Sequence, residues 1–185
     1  MSWLELVASV LGVISVWFVV KRNILTFPIG IVMVILYIVV FYQARLYSDM
    51  LLQVVYIVMQ AQGWYEWSRG DRADDDKIAV GRLNMVQWGM SGGLQIAGTL
   101  AIGYGMARFT DAALPWLDAF TTVMSLIAQW WMNHKYLENW VLWIVVDLIY
   151  LYQYTAKGLY LTTGLYFVFF ILAVFGYREW KKKCV

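Results

Sequence analysis

From Asn23 to Ala44 the chain carries no charged side chain. A bilayer core of about 30 Å asks for about 20 apolar residues per crossing helix, and this one run already meets that length. Six further runs are bounded by charges in the same way. They are Leu6–Val20, extended back to Trp3, then Met50–Tyr65, Leu83–Ala107, Ala119–Asn133, Asn139–Ala156 and Gly158–Tyr177. The run Asn139–Ala156 is broken by a single acid, Asp147. Irregular backbone is not tolerated against lipid, so such runs are helices. The expected fold is an all-α polytopic membrane protein with seven transmembrane helices. The first run lacks the small-residue cleavage pattern of a signal peptide and reads as a retained helix.

Composition closes off the alternatives. Only 14% of the residues are charged and 62% are hydrophobic, whereas a soluble domain is about a quarter charged. A net charge of +2 supplies no field to attract nucleic acid. One cysteine, Cys184, excludes an internal disulfide and a cysteine cage, and one histidine, His134, excludes the usual zinc constellations. No Ser–His pair or His/Glu metal motif lies in the runs, so neither an enzyme nor a metal or cofactor site is expected.

Charge placement orients the runs. With the C-terminus in the cytoplasm and the N-terminus in the periplasm, the inner loops hold Lys21, Arg22, Arg69, Arg72, Lys77, Arg82, Lys135, Arg178, Lys181, Lys182 and Lys183. Only Arg45, Arg108 and Lys157 lie outside. That asymmetry follows the positive-inside rule. The segment Ser68–Arg82, with Asp71, Asp74, Asp75 and Asp76 among its bases, reads as a solvated cytoplasmic linker.

The chain also matches itself at an offset of 113 residues, which sets Gly63-Trp64-Tyr65-Glu66-Trp67 on Gly176-Tyr177-Arg178-Glu179-Trp180. Trp17 falls on Trp130, Tyr37 on Tyr150 and Leu46-Tyr47 on Leu159-Tyr160. The division that follows is a three-helix repeat at 1–67, the loop and a linker helix at 68–116, and a second three-helix repeat with a basic tail at 117–185. An odd linker makes the two units parallel, a plan used by transporters that bind substrate between repeats. The linker run carries Gly89, Gly92, Gly93, Gly98, Gly103 and Gly105 and reads as a closely packed spacer.

The polar residues inside the runs carry the functional argument. An ionisable group at mid-helix is costly in hydrocarbon, which makes Asp147 the first candidate. Its repeat partner, Val34, is apolar, so the repeat does not require the acid. Trp140, Trp143 and Asp147 share one helix face. Two indoles and a carboxylate suit a flat, positively charged ring, although Trp140 would also suit an interfacial aromatic belt. In the third run Gln53, Tyr56, Gln60, Gly63, Trp64 and Trp67 recur at steps of three and four. Amides and phenols there would bind hydroxyls, or would bond between helices with Trp64 and Trp67 in an interfacial aromatic belt. Thr121, Thr122, Ser125 and Gln129 add polar groups in the fifth run. Pro28 and Gly30 allow a hinge near the start of the second.

These stretches resemble the PnuC family of vitamin transporters. The resemblance lies in Tyr47-Ser48-Asp49-Met50-Leu51-Leu52-Gln53 leading to Gly63-Trp64-Tyr65-Glu66-Trp67, and in Asp118-Ala119-Phe120-Thr121-Thr122-Val123 with Ala128-Gln129. It continues in Glu138-Asn139-Trp140-Val141-Leu142-Trp143-Ile144-Val145-Val146-Asp147 and in Lys157-Gly158-Leu159-Tyr160. It covers nearly the whole chain. It implies a three-plus-one-plus-three, SWEET-like fold in the bacterial inner membrane and uptake of nicotinamide riboside by facilitated diffusion. It also implies trapping by a cytoplasmic ribosylnicotinamide kinase, and a homotrimer. The family's binding region falls on Gln53, Tyr56, Gln60, Trp64, Gln129, Asn139, Trp140, Trp143 and Asp147. Thiamine, also a cationic ring with a hydroxyl, is the alternative substrate. Coupling to a proton or sodium ion at Asp147 is the alternative mechanism.

Overall fold

The structure, a computed structural model, describes residues 3–43, 47–69, 80–110, 114–156 and 160–184. Seven helices occupy them, α1 (Trp3–Val20), α2 (Thr26–Gln43), α3 (Tyr47–Arg69), α4 (Met85–Phe109), α5 (Pro115–Asn133), α6 (Asn139–Ala156) and α7 (Tyr160–Lys181). Most of the linker 68–82 and the Leu46/Leu159 match lie outside the described residues.

Local chemistry sets the helix ends. Asn84 caps α4 with a full capping box: its Oδ1 accepts from the Gln87 N–H at 2.8 Å, and Gln87 Oε1 accepts from the Asn84 N–H at 2.9 Å. Pro115 stands in the first turn of α5, where its missing N–H costs nothing. Pro28 likewise sits in the first turn of α2, which is one continuous helix. Gly30 instead makes room: a Cβ there would strike the Gln60 amide.

Six of the helices close a ring. α1 lies against α2 and α7, α3 against α2 and α5, and α6 against α5 and α7, while the backbones of opposite helices stay apart. α4 stands outside the ring against α5 alone. Gln95 Nε2 donates to the Phe120 carbonyl at 3.0 Å, Gly98 faces Val123, and Gly103 faces Trp116. The other glycines differ from the packed spacer expected, because a Cβ at Gly89, Gly92, Gly93 or Gly105 would meet nothing.

Positions 113 apart recur in conformation as well as in identity. The bounds of α6 are those of α2 moved by that offset. Arg22 and Lys135, one such pair, adopt positive φ of 53° and 64° in the turns after α1 and α5. Gly63 would collide with Phe27 if it carried a Cβ, and Gly176 with Trp140, a second matched pair of contacts. Phe27 and Trp67 meet edge to face at 5.1 Å, Trp140 and Trp180 at 5.5 Å.

The outer surface is apolar. Val10, Val32, Val58, Leu94, Leu148 and Phe167 are all exposed, and an 18-residue window in α1 has a mean hydropathy of 2.1. Exposed patches of that extent need an apolar solvent. At the end of the ring that carries the basic turns, the segment before α4 is stitched to its neighbours. Gly81 N–H donates to the Lys135 carbonyl at 3.1 Å and Leu137 N–H to the Gly81 carbonyl at 3.0 Å. Burial there lowers the pKa of Lys135, with Glu66 opposing the shift.

Candidate functional site

The ring encloses two aromatic layers with polar groups between them. The basic end is filled by Phe27, Trp67, Trp140 and Trp180, all 3% exposed or less. Trp67 and Trp180 meet across the ring at 6.1 Å. Toward the other end, Tyr150, Tyr154 and Tyr166 stack with centroids 4.8 to 5.7 Å apart, and Tyr166 meets Phe169 at 5.8 Å. Ser9 and Tyr37 share a hydrogen bond at 3.3 Å. Asp147 lies on α6 two turns beyond Trp140 and one turn before Tyr150.

Asp147 is 4% exposed and lies near Tyr166. Among the described residues it has no ion-pair partner. Its repeat counterpart Val34 is 1% exposed. The same buried position thus accepts a valine in one half and an acid in the other. Polar groups replace apolar ones elsewhere too: Asn133 stands where the first half has Val20, and Gln60 where the second has Ala173. Packing alone does not ask for these groups, and a buried polar atom costs free energy unless bonded.

Several of those atoms are unbonded. Among the described residues the buried side-chain atoms without a hydrogen-bond partner are Gln60 Oε1, Asn139 Oδ1 and Trp140 Nε1. All three belong to residues expected from the sequence to bind. Each such atom costs about 1–3 kcal/mol when buried away from water. Asn139 uses its amide N–H on the Tyr136 carbonyl at 2.6 Å, which leaves its oxygen free.

The other expected residues divide. Tyr56 on α3 lies near Ser125 on α5, and Gln129 Nε2 donates to Asn133 Oδ1 at 3.1 Å. Gln53 and Trp143 are half-buried, with Trp143 against the aromatic layer at the basic end. Trp140 is 2% exposed, so it belongs to the interior and not to an interfacial belt. Trp64 departs from the inward face: it is 42% exposed, and Trp67 takes the buried position. The step from 60 to 64 overshoots the centre of the face, while 60, 63 and 67 stay within it.

Asn133 was missed by the sequence reading. It is fully buried, and its Nδ2 donates to the Met59 carbonyl at 2.7 Å while its own carbonyl accepts from Trp67 Nε1 at 3.0 Å. The available signal was its spacing of four from Gln129. The tyrosines of α6 and α7 were missed as well, because aromatic residues in a membrane helix do not declare which face they occupy. Two open surface concavities are lined by Phe175, Arg178, Glu179, Lys181 and Lys182, and by Leu117, Val145, Leu148, Ile149 and Tyr152. Neither includes a member of the polar set.

A polar interior inside a helical ring in lipid is the architecture of a carrier, and the family comparison agrees. The family model for the nicotinamide mononucleotide transporter matches residues 2–182. The chain belongs to that family. It is a multi-pass membrane transporter and not an enzyme. A member from Neisseria mucosa, the nicotinamide riboside transporter PnuC, is 32% identical over 98% of this chain and 73% of its own length. The riboflavin/roseoflavin transporter RibM of Streptomyces davaonensis is 26% identical over 96% of this chain and 84% of its own. A crystal structure of the vitamin B3 transporter PnuC superimposes with a TM-score of 0.81 at 30% identity, covering 98% of this chain and 81% of that one. Within the nicotinamide mononucleotide transporter family, then, both the fold and the transport role are shared.

Proposed function

We propose that this chain takes up nicotinamide riboside by facilitated diffusion. One observation carries the reading: the interior holds a buried carboxylate, Asp147, with no cation beside it among the described residues, and two unbonded acceptor oxygens, on Gln60 and Asn139. Such a set is satisfied by a guest that brings positive charge and hydrogen-bond donors. A pyridinium ribosyl cation brings both, and an indole such as Trp143 offers its face to the ring. The name of the Neisseria mucosa relative supports the same substrate. Trp140 Nε1, the buried donor left without a partner among the described residues, would bond a ribose oxygen.

Transport requires the two aromatic layers to separate in turn, with the guest between them. The bias of basic residues toward one end supports a cytoplasmic C-terminus. Phosphorylation by a cytoplasmic ribosylnicotinamide kinase would then keep the product inside. A homotrimer in the inner membrane would use the open glycine-rich face of α4, which nothing among the described residues covers.

The riboflavin relative motivates a second reading. Riboflavin is a neutral ring and leaves Asp147 without a counter-charge, so the cation is preferred. Thiamine supplies a cationic ring and stays within the same chemistry.

The test is uptake into liposomes containing the purified protein, with nicotinamide riboside, thiamine and riboflavin as competing substrates and no ion gradient. Saturable uptake of nicotinamide riboside to the outside concentration is expected. Preference for thiamine or riboflavin would replace the substrate, and accumulation driven by a proton or sodium gradient would replace the mechanism.

A further inference from the structure

The polarity of an amide side chain follows from what its two ends face. At the contact of α3 with α5 that polarity is fixed by a backbone group. The Met59 carbonyl can only accept a hydrogen bond. The Asn133 amide 2.7 Å from it therefore presents its Nδ2 side. The Asn133 Oδ1 must then face the other way, toward Gln129. An oxygen there accepts only from the Gln129 Nε2, as the 3.1 Å bond shows. Gln129 is consequently held with its own carbonyl oxygen directed away from Asn133.

Gly63 makes this relay possible. A Cβ at 63 would collide with the Asn133 Oδ1 and Cγ, so the glycine is the space into which Asn133 reaches. Trp67 pins the Asn133 backbone through its indole N–H. In the first half of the chain the counterpart of Asn133 is Val20 and that of Gln129 is Val16. The relay is therefore no part of the shared packing.

We infer that Asn133 is a positioning residue which, held by the Met59 carbonyl, locks Gln129 as a hydrogen-bond acceptor and so selects a ring substituent that donates. The inference rests on the transport of a pyridinium riboside proposed above. It explains a choice that Asp147 leaves open, because charge alone does not distinguish among cationic rings. A carboxamide on the ring donates an N–H to the locked oxygen. A carboxylate at the same place only accepts, and meets an oxygen that cannot turn.

The experiment measures binding of two ligands to the purified full-length protein in detergent by isothermal titration: nicotinamide riboside, and the same riboside with a carboxylate in place of the carboxamide. Wild-type protein should prefer the carboxamide by more than about tenfold. In Asn133→Ala the Gln129 amide is free to turn, and the preference should shrink about tenfold or more. Asn133→Ser, too short to bridge Met59 and Gln129, should behave alike and serves if the alanine variant does not fold. The ratio of two affinities on one preparation is independent of the fraction folded. Equal losses for both ligands in Asn133→Ala or Asn133→Ser, with the ratio unchanged, would make Asn133 merely structural and overturn the inference. Equal binding of both ligands by the wild type would also overturn it while leaving the transport reading intact. Binding of neither ligand by the wild type would overturn both.

Discussion

Trp67 and Trp180, at equivalent positions of the two halves, meet with ring centroids 6.1 Å apart. Each donates its indole N–H to the end of a helix in the opposite half. Trp67 bonds the Asn133 carbonyl at 3.0 Å and Trp180 the Val19 carbonyl at 3.1 Å. The two halves are thereby tied at the basic end by a nearly symmetric pair of bonds.

Trp180→Phe removes one of these donors and leaves the Val19 carbonyl with only its bond from the Arg22 N–H. The expected loss of stability is about 1–2 kcal/mol, read as a lower Tm in detergent. Uptake should change as well, because a state closed at that end loses one tie while a state open there loses nothing. A variant with normal Tm and normal uptake would show that the bond contributes to neither.

Asp147→Asn is expected to weaken nicotinamide riboside binding by at least about tenfold, since the counter-charge to the cation is lost. Tm should hold or rise, because an unpaired buried carboxylate costs stability in the empty protein. Asp147→Val, copying Val34, should abolish binding and raise Tm further. Retained affinity in the asparagine variant, measured by titration, would take Asp147 out of the site.

Gly30→Ala places a methyl group against the far end of the Gln60 side chain. That end is flexible, so the helices should not move and Tm should fall little. The amide must be redirected, and with it the unbonded Oε1. Substrate affinity should therefore fall several-fold while stability is nearly kept. A loss of Tm without a specific loss of affinity would assign Gln60 to helix packing.

Trp143→Ala tests the aromatic half of the proposal. Loss of stacking on a cationic ring should cost about 1–2 kcal/mol of binding. Trp143 also packs against the aromatic layer at the basic end, so the yield of folded protein must be followed beside the Kd. If yield alone drops and affinity per folded molecule is unchanged, packing is its role.

The burial of several candidate residues was legible in advance for a definite reason. Gln60, Asn139, Trp140 and Asp147 are conspicuous because polar and aromatic groups in an uncharged run need an inward face, and all four are buried. Trp64 was misplaced because a helical step of four drifts past the centre of a face, and sequence spacing does not say where that centre is. Asn133 stood at the end of a run beside His134 and Lys135, where a polar residue looks like the start of a loop.

The amino-acid sequence on its own determined that the chain lives in lipid, that it crosses seven times, and that a few polar side chains are carried inside. Hydropathy and charge are local properties, and in a bilayer each segment must satisfy its own backbone. Only the tertiary structure decided that six of the helices close a ring with α4 outside it. It alone paired Asn133 with Met59 and Gln129, and it alone left the oxygens of Gln60 and Asn139 without partners. Those outcomes depend on which side chains meet across helices distant in the chain, and the 3.6-residue period of a single helix carries no record of its neighbours.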